Sequence, residues 1–408
     1  MIHEKSGQVV VVGGGHAGGR LAQRLRAKGF DGRLTIVGDE AHLPYERPPL
    51  SKGLLTGTTA IRDTFICHRE WYEANGIALR LGTCAAGIDR SLRRLVLESG
   101  ACIHYDTLVL ASGARPRRLA VAGSDHPSVL TLRTLNDAER LRGQLLPGKR
   151  VAIVGAGLIG LEIASTASEL GCRPFIVEAS DRAIGRVVPV GVSAFFAELL
   201  ARNRVPIYYH TTISGFCVKG AELILRLAGG VALTCDIAVV GIGVDPNCEI
   251  AANAGLEVAN GIVTDEMSRT NDPRIFAIGD VACVRAGDND SCARSESWHN
   301  AETQADRLAE LIHTGRAAPA SEAHWFWTSQ FGLNVQFVGT ASGVDEVLWC
   351  RAPDFAKAVG IYIAHDKVVG GVSVSDPRAM RQIRRWVTPG CPATTRAEAA
   401  AFVAELHS

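Results

Sequence analysis

The sequence has little that would support a metal centre, a membrane span or binding driven by charge. Its 11 cysteines are scattered singly with no C-x-x-C pair, whereas zinc and iron–sulfur sites need clustered thiolates. No run approaches the ~20 apolar residues of a membrane span. The 43 Lys and Arg residues nearly balance the 42 Asp and Glu residues, so overall charge favours neither nucleic acid nor an anionic membrane. We therefore expect no metal site, no nucleic-acid partner and no membrane partner.

The N-terminus and the cysteines also bear on the cellular compartment. The opening Met-Ile-His-Glu-Lys has no apolar signal segment behind it, so we expect a cytoplasmic protein. An odd number of scattered cysteines in such a chain predicts reduced thiols, most of them small buried hydrophobic residues. A length of 408 residues predicts two or three domains, each large enough to bury its own core.

The strongest pattern lies near the N-terminus. The apolar run at 9–12 is typical of a parallel strand buried on both faces, and Gly-Gly-Gly-His-Ala-Gly at 13–18 then fits G-x-G-x-x-G. A helical stretch and a second apolar run at 34–37 lead to Gly38-Asp39-Glu40. Strand, glycine turn, helix, strand and acid form the dinucleotide fingerprint, in which the helix N-terminus holds a pyrophosphate and the acid binds a ribose.

The same pattern recurs in the middle of the chain. An apolar run at 151–154 leads into Gly-Ala-Gly-Leu-Ile-Gly at 155–160, a helix and a second strand ending at Glu178. A single G-x-G-x-x-G is weak evidence because glycine-rich turns are common, but two copies in the same context are strong evidence. The sequence therefore predicts two dinucleotide sites.

A further repeat indicates that the two modules are related. Segment 106–116 matches segment 236–246: each opens with Asp, continues as a buried strand, closes on a small-x-Gly turn and reaches Pro at the same spacing. The predicted fold class is α/β, with two Rossmann-like domains. Segments 95–100 and 223–230 are typical of hairpin arms, and the tail from about 325 predicts a third domain with a sheet followed by helices.

Three segments carry a family resemblance. Pro-Tyr-Glu-Arg-Pro-Pro-Leu-Ser-Lys at 44–52 resembles the flavin motif of the FAD-dependent NADH:ferredoxin reductases of bacterial oxygenase systems. Gly-Asp-Val-Ala at 279–282 is similar to their second flavin motif, and Trp-Phe-Trp-Thr-Ser-Gln at 325–330 to the start of their C-terminal domain. The resemblance covers essentially the whole chain. It implies a glutathione-reductase-like flavoprotein with an α+β C-terminal domain.

The resemblance also implies domain bounds and two sets of binding residues. The FAD domain would comprise 1–113 and 246–322, the NAD(H) domain 114–245, and the C-terminal domain 323–408. The residues expected to bind FAD are Gly13, Gly15, His16, Ala17, Gly18, Asp39, Glu40, Arg47, Lys52, Ala111, Ser112, Gly113, Arg115, Gly279, Asp280 and Trp298. The residues expected to bind NAD are Gly155, Gly157, Leu158, Ile159, Gly160, Glu162, Glu178, Arg186, Gly241, Ile242 and Gly243.

The implied catalytic residues are Lys52, Glu162 and Trp327. In the family the lysine and the glutamate pair near the flavin N5, and a buried ion pair keeps two charges where neither alone would tolerate burial. Trp327 would form an aromatic wall near the isoalloxazine, with plain core packing as the alternative. The chain departs from the family pattern at Ser112, where a threonine is usual, and at Trp327-Thr328-Ser329, where Trp-Ser-Asp is usual and a carboxylate is lost.

The implied activity is hydride transfer from NADH to tightly bound FAD, followed by single-electron transfer to an external two-iron ferredoxin. That ferredoxin would feed a terminal oxygenase, with an aromatic-ring-hydroxylating dioxygenase favoured over a haem monooxygenase. Glu178 favours NADH because a carboxylate accepts from the 2′-hydroxyl and repels a 2′-phosphate. Arg182 and Arg186, just beyond it, are the residues that would reverse this preference.

Two other activities are compatible with the same modules. A thiol-dependent peroxide or disulfide reductase needs a redox cysteine beside the flavin, and the turn at 47–52 has none. A redox-sensing NADH oxidase or interaction protein resembling apoptosis-inducing factor is the second.

The arginines at 378, 381, 384 and 385 form either a docking patch for an acidic ferredoxin or a solvated helix face. His299 is interpreted as structural, since hydride transfer to flavin needs no general base.

Overall fold

The computed structural model describes residues 7–220, 222–285, 292–317, 323–352 and 355–407. The chain forms two compact units. The first comprises Met1–Pro48, Ala60–Arg115 and Val244–Pro319, and the second comprises Pro49–Thr59, Pro116–Gly243 and Ala320–Ser408. The finer division into three domains stays a prediction.

The strands are short, and most follow the apolar runs seen in the sequence. In chain order they are β1 (Val9–Val12), β2 (Leu34–Val37), β3 (Ile77–Arg80), β4 (Ala85–Asp89), β5 (Arg94–Leu97), β6 (Cys102–His104), β7 (Thr107–Leu110), β8 (Ala114–Pro116), β9 (Val129–Leu130), β10 (Arg150–Val154), β11 (Arg173–Val177), β12 (Ile207–Tyr208), β13 (Ile213–Lys219), β14 (Glu222–Leu227), β15 (Ala232–Cys235), β16 (Ile237–Val240), β17 (Val244–Pro246), β18 (Val258–Ala259), β19 (Gly261–Thr264), β20 (Ile275–Ala277), β21 (Ala282–Arg285), β22 (Cys292–Ala293), β23 (Trp325–Gln330), β24 (Leu333–Gly339), β25 (Glu346–Arg351), β26 (Ala358–Ala364) and β27 (Lys367–Val374).

Helices alternate with these strands through both glycine-turn modules. They are α1 (His16–Ala27), α2 (Gly53–Thr56), α3 (Arg69–Ala74), α4 (Leu135–Arg142), α5 (Leu158–Glu169), α6 (Val190–Arg202), α7 (Glu249–Asn253), α8 (Trp298–Thr314), α9 (Pro377–Val387) and α10 (Arg396–His407). Short 3-10 turns occupy Pro48–Ser51, Ile61–Thr64 and Gly279–Val281.

The first unit is built on a parallel sheet in the order β20-β7-β1-β2-β3. Every residue of β1, β2 and β7 is buried, as their uninterrupted apolar runs predict for strands covered on both faces. On one face α1 and α8 share a core with the sheet, centred on Leu21, Leu25 and Phe276. The other face packs against the β4-β5-β6 sheet and the segment that contains α7 and β19.

The second unit repeats this plan. Its parallel sheet has the order β12-β11-β10-β16-β9, and the antiparallel sheet β13-β14-β15 packs on one face through Phe216 and Leu225. The unit also contains the antiparallel sheet β23-β24-β27-β26-β25 with α9 and α10 packed on it. The predicted α/β fold with two Rossmann-like modules and an α+β C-terminal region is confirmed by this topology.

The paired aspartates of the internal repeat have the same structural role in both units. Asp106 accepts a hydrogen bond at 2.7 Å from the backbone N–H of Gln8, next to the start of β1. Asp236 accepts one at 2.7 Å from the backbone N–H of Arg150, the first residue of β10. Each carboxylate therefore holds the start of the neighbouring strand and satisfies a backbone donor that the sheet leaves unpaired.

The expectation that all cysteines are reduced thiols is wrong for one pair. Cys283 on β21 and Cys292 on β22 form a disulfide, because these strands run antiparallel and bring the two side chains together. The other nine cysteines are free. Tyr208 lies on β12, a parallel edge strand beside β11. The hairpins predicted near 95–100 and 223–230 are confirmed.

Candidate functional site

The first glycine turn forms a backbone cradle at the N-terminus of α1. Gly13 has φ +119°, a conformation that favours glycine, and a methyl group on it would lie 2.1 Å from the carbonyl oxygen of Ala111. A methyl group on Gly18 would lie 2.1 Å from the carbonyl oxygen of Gly13. These close approaches need glycine, and no side chain caps the first amides of α1, so the helix N-terminus is suited to an anionic group.

The second flavin motif of the sequence lies against the same cradle. Gly279 has φ +75°, and a methyl group on it would stand 2.9 Å from the Ala17 side chain. Its backbone N–H donates to Gln304 at 2.6 Å, while Arg294 donates to the Asp280 carbonyl oxygen at 3.2 Å. The predicted FAD residues Gly13, Ala17 and Gly279 therefore come together in the first unit.

The acids that follow β2 have different surroundings. Asp39 is exposed, whereas Glu40 accepts from the Tyr45 hydroxyl at 2.6 Å and from Arg47 at 3.1 Å. Burial lowers the pKa of Arg47, but the negative charges around it, including Glu40 and Asp280, outweigh burial and leave that pKa raised. Arg47 is therefore a positively charged side chain that Glu40 fixes close to the cradle, where it is suited to contact an anionic ligand.

His16, the first residue of α1, takes part in a buried ion-pair cluster. Its Nε2 lies 2.9 Å from a carboxylate oxygen of Glu302, which also contacts Arg20. Burial raises the pKa of Glu302, yet the His16 hydrogen bond and the Arg20 charge outweigh it and lower that pKa below its ordinary value. The ring of Trp298 is 5.5 Å from that of His16. The structure thus places these two predicted FAD residues beside each other.

The turn after β7 is held by one asparagine. Ser112 donates to the Asn247 backbone carbonyl at 2.8 Å, and the Asn247 side chain donates back to the Ser112 carbonyl at 2.8 Å. Arg115 pairs with Glu249 at 2.6 Å and donates to Asn247 at 3.0 Å. The structure therefore holds Arg115 against protein groups, and its predicted contact with FAD phosphates stays a prediction.

The second unit contains a cradle of the same build at the N-terminus of α5. Gly155 has φ +102°, and a methyl group on it would lie 2.5 Å from the Gly241 carbonyl oxygen. A methyl group on Gly160 would lie 2.2 Å from the Gly155 carbonyl oxygen. Beside them, Leu158 is half-buried and Ile159 is exposed. The predicted NAD residues of the glycine turn and of Gly241-Ile242-Gly243 are therefore neighbours, as Ala111 and Gly13 are in the first unit.

Glu178 closes this cradle at the end of β11. One carboxylate oxygen accepts from the Ala156 backbone N–H at 2.6 Å, and the other accepts from the backbone N–H and the hydroxyl of Ser180 at 2.8 and 2.7 Å. Since a carboxylate has about four acceptor positions and three are taken, one position remains for a ribose hydroxyl. Arg182 is engaged by Asp181 and the Gly185 carbonyl, whereas Arg186 is exposed near Gly243.

A buried ion pair joins two of the predicted catalytic residues. Lys52 Nζ lies 2.7 Å from Glu162 Oε2, and the Glu162 side chain is only 4% exposed. The same oxygen accepts from the Ser51 hydroxyl, and Glu162 Oε1 accepts from the Thr328 hydroxyl at 2.7 Å. All four residues belong to the second unit. The structure brings Lys52 and Glu162 together across 110 residues of sequence; their role toward a flavin stays a prediction.

Trp327, the third predicted catalytic residue, is half-buried on β23. Its ring stacks on that of Trp325, with ring centres 5.1 Å apart, and the Arg384 guanidinium lies 5.3 Å from the Trp325 ring centre. Within β23 the side chains alternate, so Thr328 and Gln330 are fully buried and Trp327 occupies the other face. Trp327 is therefore more accessible than the plain-core alternative requires.

Sequence reasoning missed Ser51, Thr328 and Gln330 as members of the Glu162 cluster. Gln330 donates to the Thr328 hydroxyl oxygen at 3.0 Å, and Thr166 on α5 donates to the Ser51 carbonyl at 2.7 Å. The available signal was the alternation of β23, which puts Thr328 and Gln330 on one face. What that face contacts depends on pairing at long range, which the sequence does not state.

No group of three or more His, Cys, Asp or Glu side chains that would hold a metal ion occurs among the described residues. Within the same part of the chain, no helix combines the length and the apolar character needed to cross a bilayer.

Comparison with known proteins gives two family matches and several structural neighbours. The family described as pyridine nucleotide-disulphide oxidoreductase matches residues 7–305, and the reductase C-terminal family matches residues 325–406. The ferredoxin reductase for the CYP199A2 system from Rhodopseudomonas palustris is 35% identical, with a TM-score of 0.92 over 98% of this chain and 100% of that one. The covalent putidaredoxin reductase-putidaredoxin complex is 35% identical, with a TM-score of 0.89 over 94% and 93%. Fdr9 is 30% identical, with a TM-score of 0.81 over 93% and 94%.

Proposed function

Because this chain belongs to the pyridine nucleotide-disulphide oxidoreductases, as one of their FAD-dependent ferredoxin reductases, we propose that it oxidises NADH and delivers single electrons to a two-iron ferredoxin. The observation that carries the proposal is the repetition of one glycine cradle in the two units, at Gly13 and at Gly155. Two cradles of the same build suit an enzyme that binds two dinucleotides.

The proposed FAD site is the cradle of the first unit, and we propose that it binds FAD tightly. The close approaches at Gly13 and Gly18 leave space that a Cβ would fill, and α1 begins there without a side-chain cap. Arg47 supplies a held positive charge, and the exposed Asp39 supplies an acceptor for the adenosine ribose. These residue types fit a flavin dinucleotide, whose pyrophosphate is anionic and whose ribose donates hydrogen bonds.

The proposed nicotinamide site is the cradle of the second unit, with NADH preferred over NADPH. Glu178 is negatively charged and is held by Ala156 and Ser180 at the end of β11. A 2′-phosphate there would meet this carboxylate, whereas a 2′-hydroxyl would donate to it. Arg182 is already engaged by Asp181 and Gly185, so Arg186 is the residue that would have to favour the phosphate.

When bound, the two cofactors supply hydride transfer and the release of single electrons. The chain supplies positioning. We propose that the Lys52–Glu162 pair lies at the reacting edge of the flavin and that Trp327 lines it, as the family resemblance implies. The pair is suited to this role because each charge makes burial of the other tolerable, so Lys52 keeps a fixed ammonium group in a mostly buried place.

The proposed partner is a small two-iron ferredoxin that in turn feeds a terminal oxygenase. One neighbour is named as a complex with putidaredoxin and another as the ferredoxin reductase of a CYP199A2 system. The family resemblance favours an aromatic-ring-hydroxylating dioxygenase as the terminal enzyme, and a haem monooxygenase is the alternative. The protein is reconstituted with a dioxygenase and its ferredoxin and, separately, with a haem monooxygenase and its ferredoxin. Product should form only in the system whose ferredoxin this protein reduces.

Anaerobic titration of the purified protein with NADH is the decisive experiment. We expect a yellow protein whose flavin absorbance bleaches with about one equivalent of NADH and which then reduces added two-iron ferredoxin. A protein that bleaches but does not reduce ferredoxin would favour the redox-sensing oxidase instead. A colourless protein that cannot be reconstituted with FAD would refute the assignment of the first cradle.

The coenzyme preference is tested by steady-state kinetics with each coenzyme. We expect a higher kcat/KM for NADH than for NADPH. Glu178→Gln should lower the ratio of the two kcat/KM values, because it removes the negative charge that repels the 2′-phosphate of NADPH. Arg186→Gln is the matched variant, since Arg186 lies near the same cradle but carries the opposite charge. A higher kcat/KM for NADPH in the unaltered protein would refute the NADH preference.

A further inference from the structure

The Glu162 carboxylate has a different partner on each oxygen. Oε2 receives the Lys52 ammonium at 2.7 Å together with the Ser51 hydroxyl, and Oε1 receives the Thr328 hydroxyl at 2.7 Å. Glu162 is 3% exposed and Thr328 is fully buried. Because Glu162 and Thr328 are shielded from solvent, bulk water cannot replace a hydrogen-bond donor that is lost. The orientation of the carboxylate therefore depends on these three groups.

Gln330 fixes the direction of the Thr328 hydrogen bond. The Gln330 side-chain amide donates to the Thr328 hydroxyl oxygen at 3.0 Å, and Gln330 is itself 1% exposed. A hydroxyl has a single proton. Since its oxygen already accepts from Gln330, the Thr328 proton is directed to Glu162. The chain of donors runs in one direction, from Gln330 through Thr328 to Glu162.

One face of α5 carries Glu162 and makes two further contacts that fix the position of the helix. Glu162, Ser165 and Thr166 are spaced i, i+3 and i+4, which places them on one helix face. Thr166 donates to the Ser51 carbonyl, and the Phe331 backbone N–H donates to Ser165 at 2.6 Å. The helix is thus fixed to the turn that carries Ser51 and to the end of β23. Little freedom remains for Glu162 except rotation of its own carboxylate, and the contacts with Lys52, Ser51 and Thr328 restrict that rotation.

We propose that Thr328, oriented by Gln330, is a positioning residue that keeps the Glu162 carboxylate turned toward Lys52. The proposal rests on the proposed function, in which the Lys52–Glu162 pair stands at the reacting edge of the flavin. Without the Thr328 hydroxyl, Oε1 would be a buried charged acceptor with no donor. The carboxylate would then gain by sharing Lys52 between its two oxygens, and the ammonium group would leave its fixed position.

Two substitutions, of which the first is isosteric, separate the hydroxyl from the shape of the side chain. Thr328→Val keeps the branched shape and removes the hydroxyl, whereas Thr328→Ser keeps the hydroxyl and removes a methyl group. Ser329→Ala is the control on the same strand, because Ser329 lies on the opposite face of β23. Flavin content and the thermal midpoint of unfolding are measured for each variant, so that loss of fold is recognised.

The first readout is the anaerobic reduction of the flavin by NADH in a stopped-flow instrument. For Thr328→Val we expect a limiting rate about tenfold lower, with the apparent Kd for NADH changed less than about twofold, since the lost bond goes to a charged group that positions rather than binds. Thr328→Ser and Ser329→Ala should remain within about twofold of the unaltered protein.

The second readout does not depend on turnover. Lys52 is labelled with an amine-specific reagent in the flavin-free and flavin-bound protein, and peptide mass spectrometry compares its labelling rate with that of the exposed Lys219. Because a fixed partner protects Lys52, Thr328→Val should raise the ratio of Lys52 to Lys219 labelling at least about threefold. Thr328→Ser should restore the low ratio.

The proposal is overturned if Thr328→Val is reduced at the normal rate, or if Thr328→Ser is as slow as Thr328→Val with the same rise in labelling. If Thr328→Val does not fold, Gln330→Met replaces it, with an expected rate loss of about threefold because the Thr328 proton is no longer directed; a normal rate would then overturn the proposal. Failure of the unaltered protein to be reduced by NADH would instead refute the proposed function.

Discussion

Gly13 and Ala111 approach so closely that a methyl group on Gly13 would lie 2.1 Å from the Ala111 carbonyl oxygen. The first glycine turn and the turn after β7 are therefore fitted to each other through backbone atoms. The shape of the proposed FAD cradle is set at this contact.

Gly13→Ala is expected to lose flavin. The new side chain meets backbone atoms and also needs φ +119°, so one of the two turns has to shift, and retention of FAD should weaken about tenfold or more. The ratio of flavin absorbance to protein after gel filtration measures this. Gly14→Ala is the matched control, since its Cβ would meet its nearest atom at 3.5 Å, an ordinary contact; equal loss of flavin in both variants would contradict the prediction.

Charge reversal on the arginine face of α9 tests whether this face docks a ferredoxin or is only solvated. Arg378, Arg381 and Arg385 are exposed, while Arg384 lies over Trp325. If the face docks an acidic ferredoxin, Arg381→Glu combined with Arg385→Glu should raise the ferredoxin KM about threefold to tenfold at low ionic strength. The difference should shrink at high salt, because charges on exposed side chains are screened.

The control for that pair is Arg226→Glu on β14, an exposed arginine elsewhere in the second unit. NADH-dependent flavin reduction without ferredoxin should be unaffected in both proteins. An unchanged ferredoxin KM in the double variant would identify the α9 arginines as a solvated face.

The disulfide predicts a specific thiol count. Titration of the unreduced, denatured protein should give nine thiols per chain, and prior reduction should give all 11. Cys283→Ser combined with Cys292→Ser should keep NADH-dependent ferredoxin reduction within about twofold of normal, since the proposed electron path uses no thiol. Loss of turnover with flavin content and thermal midpoint preserved would favour the thiol-dependent reductase instead.

Asp236, which accepts from the backbone N–H at the start of β10, is expected to contribute to stability in a pH-dependent way. The hydrogen bond from Arg150, which outweighs the effect of burial, lowers the pKa of Asp236 below its ordinary value. A lowered folded-state pKa stabilises the fold above the unfolded-state pKa of about 3.9, and the contribution disappears as pH falls through the folded-state pKa.

Asp236→Asn should therefore reduce the free energy of unfolding by about 1 kcal/mol at pH 7, because it removes the charge but keeps an acceptor for the Arg150 backbone N–H. Denaturant unfolding at pH 7 and below pH 4 measures the difference, which should shrink toward acid. A difference that does not vary with pH would show that charge is not its cause.

The parts of the fold that depend on local sequence were predictable. The runs at 9–12 and 151–154 and the glycine turns after them give strand, turn and helix within about 20 residues, so pattern alone locates them. The Asp106 and Asp236 repeat was visible as well. Its structural reason, a carboxylate holding the start of a neighbouring strand, was not, because it depends on which strands pair.

The candidate site was predictable only where a motif carried it. Lys52 and Glu162 were paired through the family resemblance, whereas Thr328 and Gln330 depend on the register of β23 against α5 and lie 166 residues or more from Glu162 along the chain. Cys283 and Cys292 were assigned as thiols from their spacing and compartment. Their pairing follows from the antiparallel β21–β22 contact, which a count of cysteines does not reveal.

Segment Pro49–Thr59 belongs to the second unit although the chain on both sides of it belongs to the first. A genetic exchange that replaced only 116–243 with the same stretch of a relative would transfer Glu162 but leave behind Ser51, Lys52 and Thr328. Chimeric reductases assembled from that central block would inherit a buried carboxylate whose partners come from another parent. For recombination, the smallest unit of this protein that can be exchanged without breaking the cluster is therefore three separate pieces of the gene.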